Sequence, residues 1–233
     1  MFNHIERGLL ASLGQLSQQS SIEVIDELRG EINQPFSELL PLTDFERDWR
    51  DVSLDFDTLE ESSRLDEIGV YWQTKPPLPQ FFGEYRIPSP YEVLAQGTQD
   101  TGGMGIQRVQ RDFLRQLRYI DHAWQSGSGS TTWIRMSPNT SPLEIWQHDL
   151  TMTGGTPYPH GYVQLDITYR KYIETLILTK GTRGWQYLFA DVPFRDSPIA
   201  EIAENVTHML QVFPDLFPEH DYSELQQRWE ARR

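Results

Sequence analysis

Apolar residues recur at three- and four-residue intervals from the start of the chain: Ile5, Leu9, Leu10, Leu13 and Leu16, then Ile22, Val24, Ile25 and Leu28. That period predicts two helices within residues 5–29, divided by the polar run Ser17 to Ser21. Ser21 is placed to cap the second helix, Glu23 to sit in its first turn and Gly30 to end it. Thr43, Asp44 and Glu46, followed by Phe45, Trp49 and Val52 near one face, predict a further helix start. Val70–Trp72 fits a short strand. Lys75, Pro76, Pro77, Leu78 and Pro79, with Pro88 and Pro90 beyond, then impose extended, irregular chain.

The stripe Val109, Phe113, Leu117, Ile120 and Trp124 predicts a helix over residues 106–124. Ser126 to Ser130, alternating with Gly127 and Gly129, has the composition of a mobile linker or loop. Past it the period changes. Thr131–Met136 reads as a strand, and Val163, Leu165, Ile167 and Tyr169 alternate with Gln164, Asp166, Thr168 and Arg170. A long hairpin is expected, Tyr162–Thr179 with Gly184–Val192, turning at Lys180 to Arg183. Ser197 and Pro198 start a helix through Phe213 that Pro214 and Pro218 stop, and Ser223–Arg233 forms a last amphipathic helix. Together these elements predict an α+β fold: a small antiparallel sheet covered by helices, with an acidic, mainly helical N-terminal portion. The division expected is residues 1–72, a Pro- and Gly-rich connection at 73–103, and an α+β region at 104–233, or one domain throughout.

Charge sharpens this picture. The formal net charge is −14, and residues 1–70 carry 16 Asp and Glu against five Arg. Residues 101–135 carry five Arg against two Asp. An acidic third of this kind repels nucleic acid, whose affinity for proteins comes largely from Lys and Arg on its phosphates, and favours basic partners. No apolar run approaches the length of a membrane span, and no secretory leader is recognisable at the N-terminus. The absence of Cys removes disulfide and thiolate chemistry and is compatible with a reducing cytoplasm.

Candidate chemistry is sparse. Histidine is the usual acid, base and metal ligand near neutral pH, and three histidines adjoin aspartates: Asp121–His122, His148–Asp149 and His220–Asp221, with His160 in the loop Thr151 to Gly161. Adjacent residues diverge on helices and strands alike, and no metal pattern is present, so no metal or cofactor is expected. His148, Asp149 and His160, beside Trp146 and Tyr158, are the catalytic or ligand-pocket candidates. The glycines between Gly97 and Gly105 could offer amides to an anion. Arg108, Arg111, Arg115 and Arg118, spaced for one helical face, could grip phosphates, an acidic partner or the chain's own acidic residues. Trp72, Phe81, Phe82, Tyr85 and Tyr91, interleaved with prolines, suggest a rigid recognition surface.

The expectation drawn from these residues is a cytoplasmic, non-catalytic interaction factor, an immunity, inhibitor or chaperone-type protein of a bacterium or phage. Its acidic surface, represented by Asp48, Asp51, Asp55 and Asp57, would engage a basic protein. The alternatives are an enzyme or ligand-binding domain with its pocket near His148 and His160, and phosphate binding along Arg108–Arg118.

Overall fold

The computed structural model describes residues 2–33, 52, 63–96, 99–102, 105–150, 157–192, 194 and 200–232. Helix α1 (His4–Gln18) begins in a capping box. The Asn3 side chain accepts from the Glu6 amide and the Glu6 carboxylate accepts from the Asn3 amide, which satisfies two otherwise orphaned N–H groups. Ile5, Leu9, Leu13 and Leu16 form its buried stripe.

Residues 22–29, expected to be helical, form strand β1 (Ile22–Arg29). The β-branched Ile22, Val24 and Ile25 gain more from pairing with β2 (Glu67–Thr74) than from a second helical turn. A bulge between Val24 and Asp26 turns Ile25 outward. Strand β3 (Phe82–Pro88) completes an antiparallel sheet in the order β1-β2-β3. The Pro-rich stretch read as a connection therefore holds the end of β2, all of β3 and the short helix α2 (Pro90–Ala95), which Ser89 caps.

The predicted helix at 106–124 is two elements. Helix α3 (Arg108–Gln116) stops where Leu117 turns extended, and β4 (Leu117–His122) follows at once. The apolar positions taken for one helical stripe divide between them, because Leu117, Arg118, Tyr119, Asp121 and His122 pair with β5 (Thr131–Arg135), while the Tyr119 amide and carbonyl bond the Gln96 side chain at the end of α2. Strands β6 (Glu144–His148) and β7 (Tyr162–Leu165) extend this second antiparallel sheet in the order β4-β5-β6-β7.

The expected long hairpin is replaced by helices. After β7, Thr168 caps α4 (Tyr169–Thr179), whose Tyr172, Ile173, Leu176 and Thr179 make a helical stripe that outweighs the alternation before it. Lys180 ends α4 in the left-handed region, and Trp185–Phe189 is a 3-10 helix. Helix α5 (Ala200–Leu216) runs through Pro214 in its last turn, and α6 (Ser223–Arg232) closes the described chain.

The architecture is thus α+β, with two small antiparallel sheets and six α-helices among the described residues. One apolar core draws on all of these layers, from Ile5 and Leu9 through Trp72, Tyr85, Ile145, Leu176 and Trp185 to Phe213 and Leu225. Trp72 fits because Gly83 lies opposite it, where an added Cβ would come within 2.6 Å of the indole. Among the described residues no helix is long and apolar enough to cross a membrane.

Candidate functional site

The two sheets meet at β3 and β4, and two carboxylates fasten them. Glu84 on β3 accepts from the amides of Trp124, Gln125 and Ser126, which pins the start of the β4–β5 loop. Asp121, at a bulge in β4, accepts from the Arg86 amide at 3.0 Å and from the Tyr172 hydroxyl at 2.7 Å. The Ser- and Gly-rich stretch read as a mobile linker or loop is therefore the anchored turn of a hairpin. Within it Gly127 and Gly129 take positive φ, and Ala123 donates to Ser130 at 3.0 Å.

From Asp121 a buried chain of hydrogen bonds runs inward. Tyr172 Oη lies 2.7 Å from Thr132 Oγ1, Thr132 reaches Gln147 Oε1 at 2.7 Å, and Gln147 Nε2 donates to Ser130 Oγ at 2.7 Å. Burial pushes the Asp121 carboxyl up to about 7, against hydrogen bonds from Tyr172 and Arg86 that favour the anion. A narrow cavity of about 20 Å³, with room for about one water, is lined by Asp121, His122, Ser128, Thr132, Arg183 and Gln186.

His122 turns its other side to a wider cleft of about 390 Å³, formed with Glu67, Arg86, Glu92, Tyr119 and Trp133. Tyr119 and Trp133 are directly opposed across β4 and β5, their rings 6.2 Å apart and nearly perpendicular; Tyr119 and His122 stand 5.3 Å apart in the same edge-to-face relation. Arg86 is ion-paired to Glu67, whereas Glu92 is exposed and has no cation against it among the described residues. Burial, with the nearby Arg86 charge, lowers the His122 pKa, so the ring is neutral at pH 7. The buried Trp133 Nε1 has no hydrogen-bond partner among the described residues.

The residues singled out from the sequence fall in several places. Asp48, Asp51, Asp55 and Asp57 lie outside the described residues. Trp72, Phe81 and Tyr85, expected on a recognition surface, are core residues at 0%, 1% and 0% exposure. Alternation along β2 and β3 turns Trp72 and Tyr85 inward; Trp72 and, just before β3, Phe81 pack against Phe213, and the Trp72 indole N–H donates to the Lys180 carbonyl. Phe82, on the opposite face of β3, is half-buried beneath the Arg183 guanidinium.

The arginine row is broken as well. Arg108 and Arg115 are exposed on α3, and Arg108 pairs with Asp112. Arg118 lies on β4, where strand alternation buries it and its guanidinium donates to the carbonyls of Arg115 and Leu117. The four guanidinium groups therefore do not form one anion-binding face. Of the glycine stretch, Gly102 and Gly105 are described, and Gly102 donates to Asp100.

The chain at Gly161, next to His160, lies against the His148 ring; burial is the larger cause of the lowered His148 pKa, and the His160 charge acts in the same direction. His148 stacks on Tyr162 at 4.5 Å, Asp149 is buried, and His160 is exposed. Trp146 and Tyr158 pack with Phe113 and Tyr162 as a second aromatic core beneath α3. Among the described residues no three His, Asp or Glu side chains are grouped so as to hold a metal ion.

The Asp121–His122 pair was visible as adjacent letters, but the cleft was not. Its walls come from β2, β3, β4, β5 and α2, and only the sheet register assembles them. No family model, no curated protein and no solved structure matches the chain.

Proposed function

We propose that this protein is a non-catalytic interaction factor of the cytoplasm, of an immunity, inhibitor or chaperone type in a bacterium or phage, that engages a basic partner through acidic surface. What supports this reading is the point of attachment of the most acidic stretch. Residues 34–62 carry nine Asp and Glu against two Arg, and they join two strands that are neighbours in one sheet. Both ends are tied: Ile32 bridges Leu65, Asn33 donates to Arg64 at 2.8 Å, and Asp66 donates to Glu31 at 2.9 Å.

Arg64 is held in turn by the buried Glu6 carboxylate, through Nε and Nη2 at 2.7 Å each. Within the segment, Val52 packs against the core. The field of a strongly anionic insertion with fixed ends raises the local concentration of a cationic protein. The adjoining edge strand continues the same character, with Glu23 exposed, Asp26 and Glu27 half-buried, and Ile25 and Ile32 presenting apolar surface beside them.

The test is capture of protein on the immobilised chain at low salt, repeated with Asp48, Asp51, Asp55 and Asp57 each changed to Lys. The reading expects a basic protein that elutes as salt rises and is not retained by the reversed bait. Retention that ignores the reversal would remove the reading. A second reading, a small-ligand site at the rim formed by His148 and His160, rests on the approach of the chain next to His160 to the His148 ring. It predicts a thermal shift with a metal, nucleotide or sugar that His148→Ala with His160→Ala abolishes.

A further inference from the structure

We infer that the cleft between Tyr119, His122, Trp133 and Glu92 is the seat for a single cationic side chain, lysine or arginine, presented by an extended segment of the partner protein. The inference rests on the proposed engagement of a basic partner and names the place where one of its residues is anchored.

Two features of the cleft converge on that ligand. Tyr119 meets both Trp133 and His122 edge to face, so the walls of the recess include ring faces in more than one orientation. A cation within about 6 Å of such faces is attracted by their quadrupoles. The recess also has the right sign of charge. Arg86 is neutralised by Glu67, which leaves the Glu92 carboxylate at the rim as the net charge. A volume of about 390 Å³ accommodates a lysine or arginine stem together with the peptide groups that carry it.

The opposite chemistry fits poorly. An anion would have to displace Glu67 from Arg86 and would face Glu92. A purely apolar side chain would leave Glu92 without a counter-charge and gain only the ring contact.

The experiment is a titration of the full-length protein with three twelve-residue peptides of Gly and Ser carrying four Lys, four norleucines or four Glu. It is followed through the indole N–H resonances, with that of Trp133 assigned from Trp133→Phe. The Lys peptide is expected to shift the Trp133 resonance saturably, and the norleucine and Glu peptides to leave it in place. Glu92→Gln, at an exposed position where folding is not at stake, should weaken the Lys peptide about fivefold, and Trp133→Ala by at least as much.

Equal response to Lys and norleucine, response to Glu, an unmoved Trp133 resonance, or full affinity in Glu92→Gln would each overturn the assignment. The two levels of the account separate cleanly. If basic-protein capture is lost on reversal of Asp48, Asp51, Asp55 and Asp57 yet is indifferent to Glu92→Gln and Trp133→Ala, the cleft assignment falls and the function stands. If the Lys peptide seats in the cleft while no charge-sensitive protein is captured, the converse holds.

Discussion

The Asp121 carboxylate on β4 takes the backbone amide of Arg86 on β3 at 3.0 Å, so at this point a side chain does what a strand carbonyl does within either sheet. Its other oxygen takes the Tyr172 hydroxyl of α4. One buried acid therefore ties three elements together and forms the floor from which His122 reaches both recesses.

Because burial raises this carboxyl from 3.8 to about 7, the folded protein holds its proton more tightly than the unfolded chain does. The stability Asp121 contributes is fully present below about pH 4 and is lost as the pH rises through about 7. Asp121→Asn keeps an acceptor for Arg86 and can donate to Tyr172, whose hydroxyl is then free to donate to Thr132. Denaturant unfolding from pH 4 to 8 should show the wild type losing stability relative to this variant as the pH rises. Asp121→Ala, which strips the Arg86 amide and the Tyr172 hydroxyl of their acceptor, should cost about 2–3 kcal/mol at pH 6.

Glu6 behaves in the opposite sense. Burial alone would raise its pKa, but hydrogen bonds from Arg64 and Asn3 lower it. Its contribution is present above about pH 4.5 and is lost as the pH falls through the lowered folded-state value. Glu6→Ala should cost about 3 kcal/mol in urea unfolding. It should also speed amide exchange at Asn33 and Asp66, because the tie at the base of the acidic insertion runs through Arg64.

Lys180 is fully buried, and burial pushes its pKa down to about 8. Its ammonium meets Gln15, lies 3.5 Å from the His220 ring and sits 4.9 Å from the Phe217 ring, with the Glu219 charge nearby. The stability linked to it is present above about pH 10.5 and is lost as the pH falls through about 8, so at pH 7 the charged amine is a net cost. Lys180→Met should raise the urea midpoint at pH 7, by about 1–2 kcal/mol in stability, with the gain shrinking at pH 10. An unchanged or lower midpoint would mean that Gln15 and Phe217 fully compensate the buried charge.

Glu84→Ala removes the acceptor shared by Trp124, Gln125 and Ser126. Amide exchange across residues 124–130 should rise by at least tenfold while α1 and α5 are unaffected. Uniform acceleration throughout the chain would instead mark Glu84 as part of the global core.

Elements with strong local signals were legible: α1 from its leucine spacing, β5 from Thr131 to Arg135, and α6 from its period. Residues 22–29 and 162–179 were misread because each carries both periods, and only the partner strand or packing face decides between them. At Leu117 the backbone changes from helix to strand inside an unbroken apolar stripe, which no turn residue announces. The inward direction of Trp72 and Tyr85 follows from strand alternation, which Pro-rich surroundings obscured. The cleft required register: Tyr119 faces Trp133 because β4 and β5 pair with a bulge between Tyr119 and Asp121, and neither side chain suggests the other in sequence.

The most direct measurement compares partner retention by two variants of equal net charge. One carries Asn at Asp48, Asp51, Asp55 and Asp57. The other loses four exposed acids of α5 and α6 through Glu201→Gln, Glu204→Gln, Asp215→Asn and Glu230→Gln. The account predicts that the first releases the basic partner captured by the wild type and that the second retains it; equal retention, or equal loss, would contradict it.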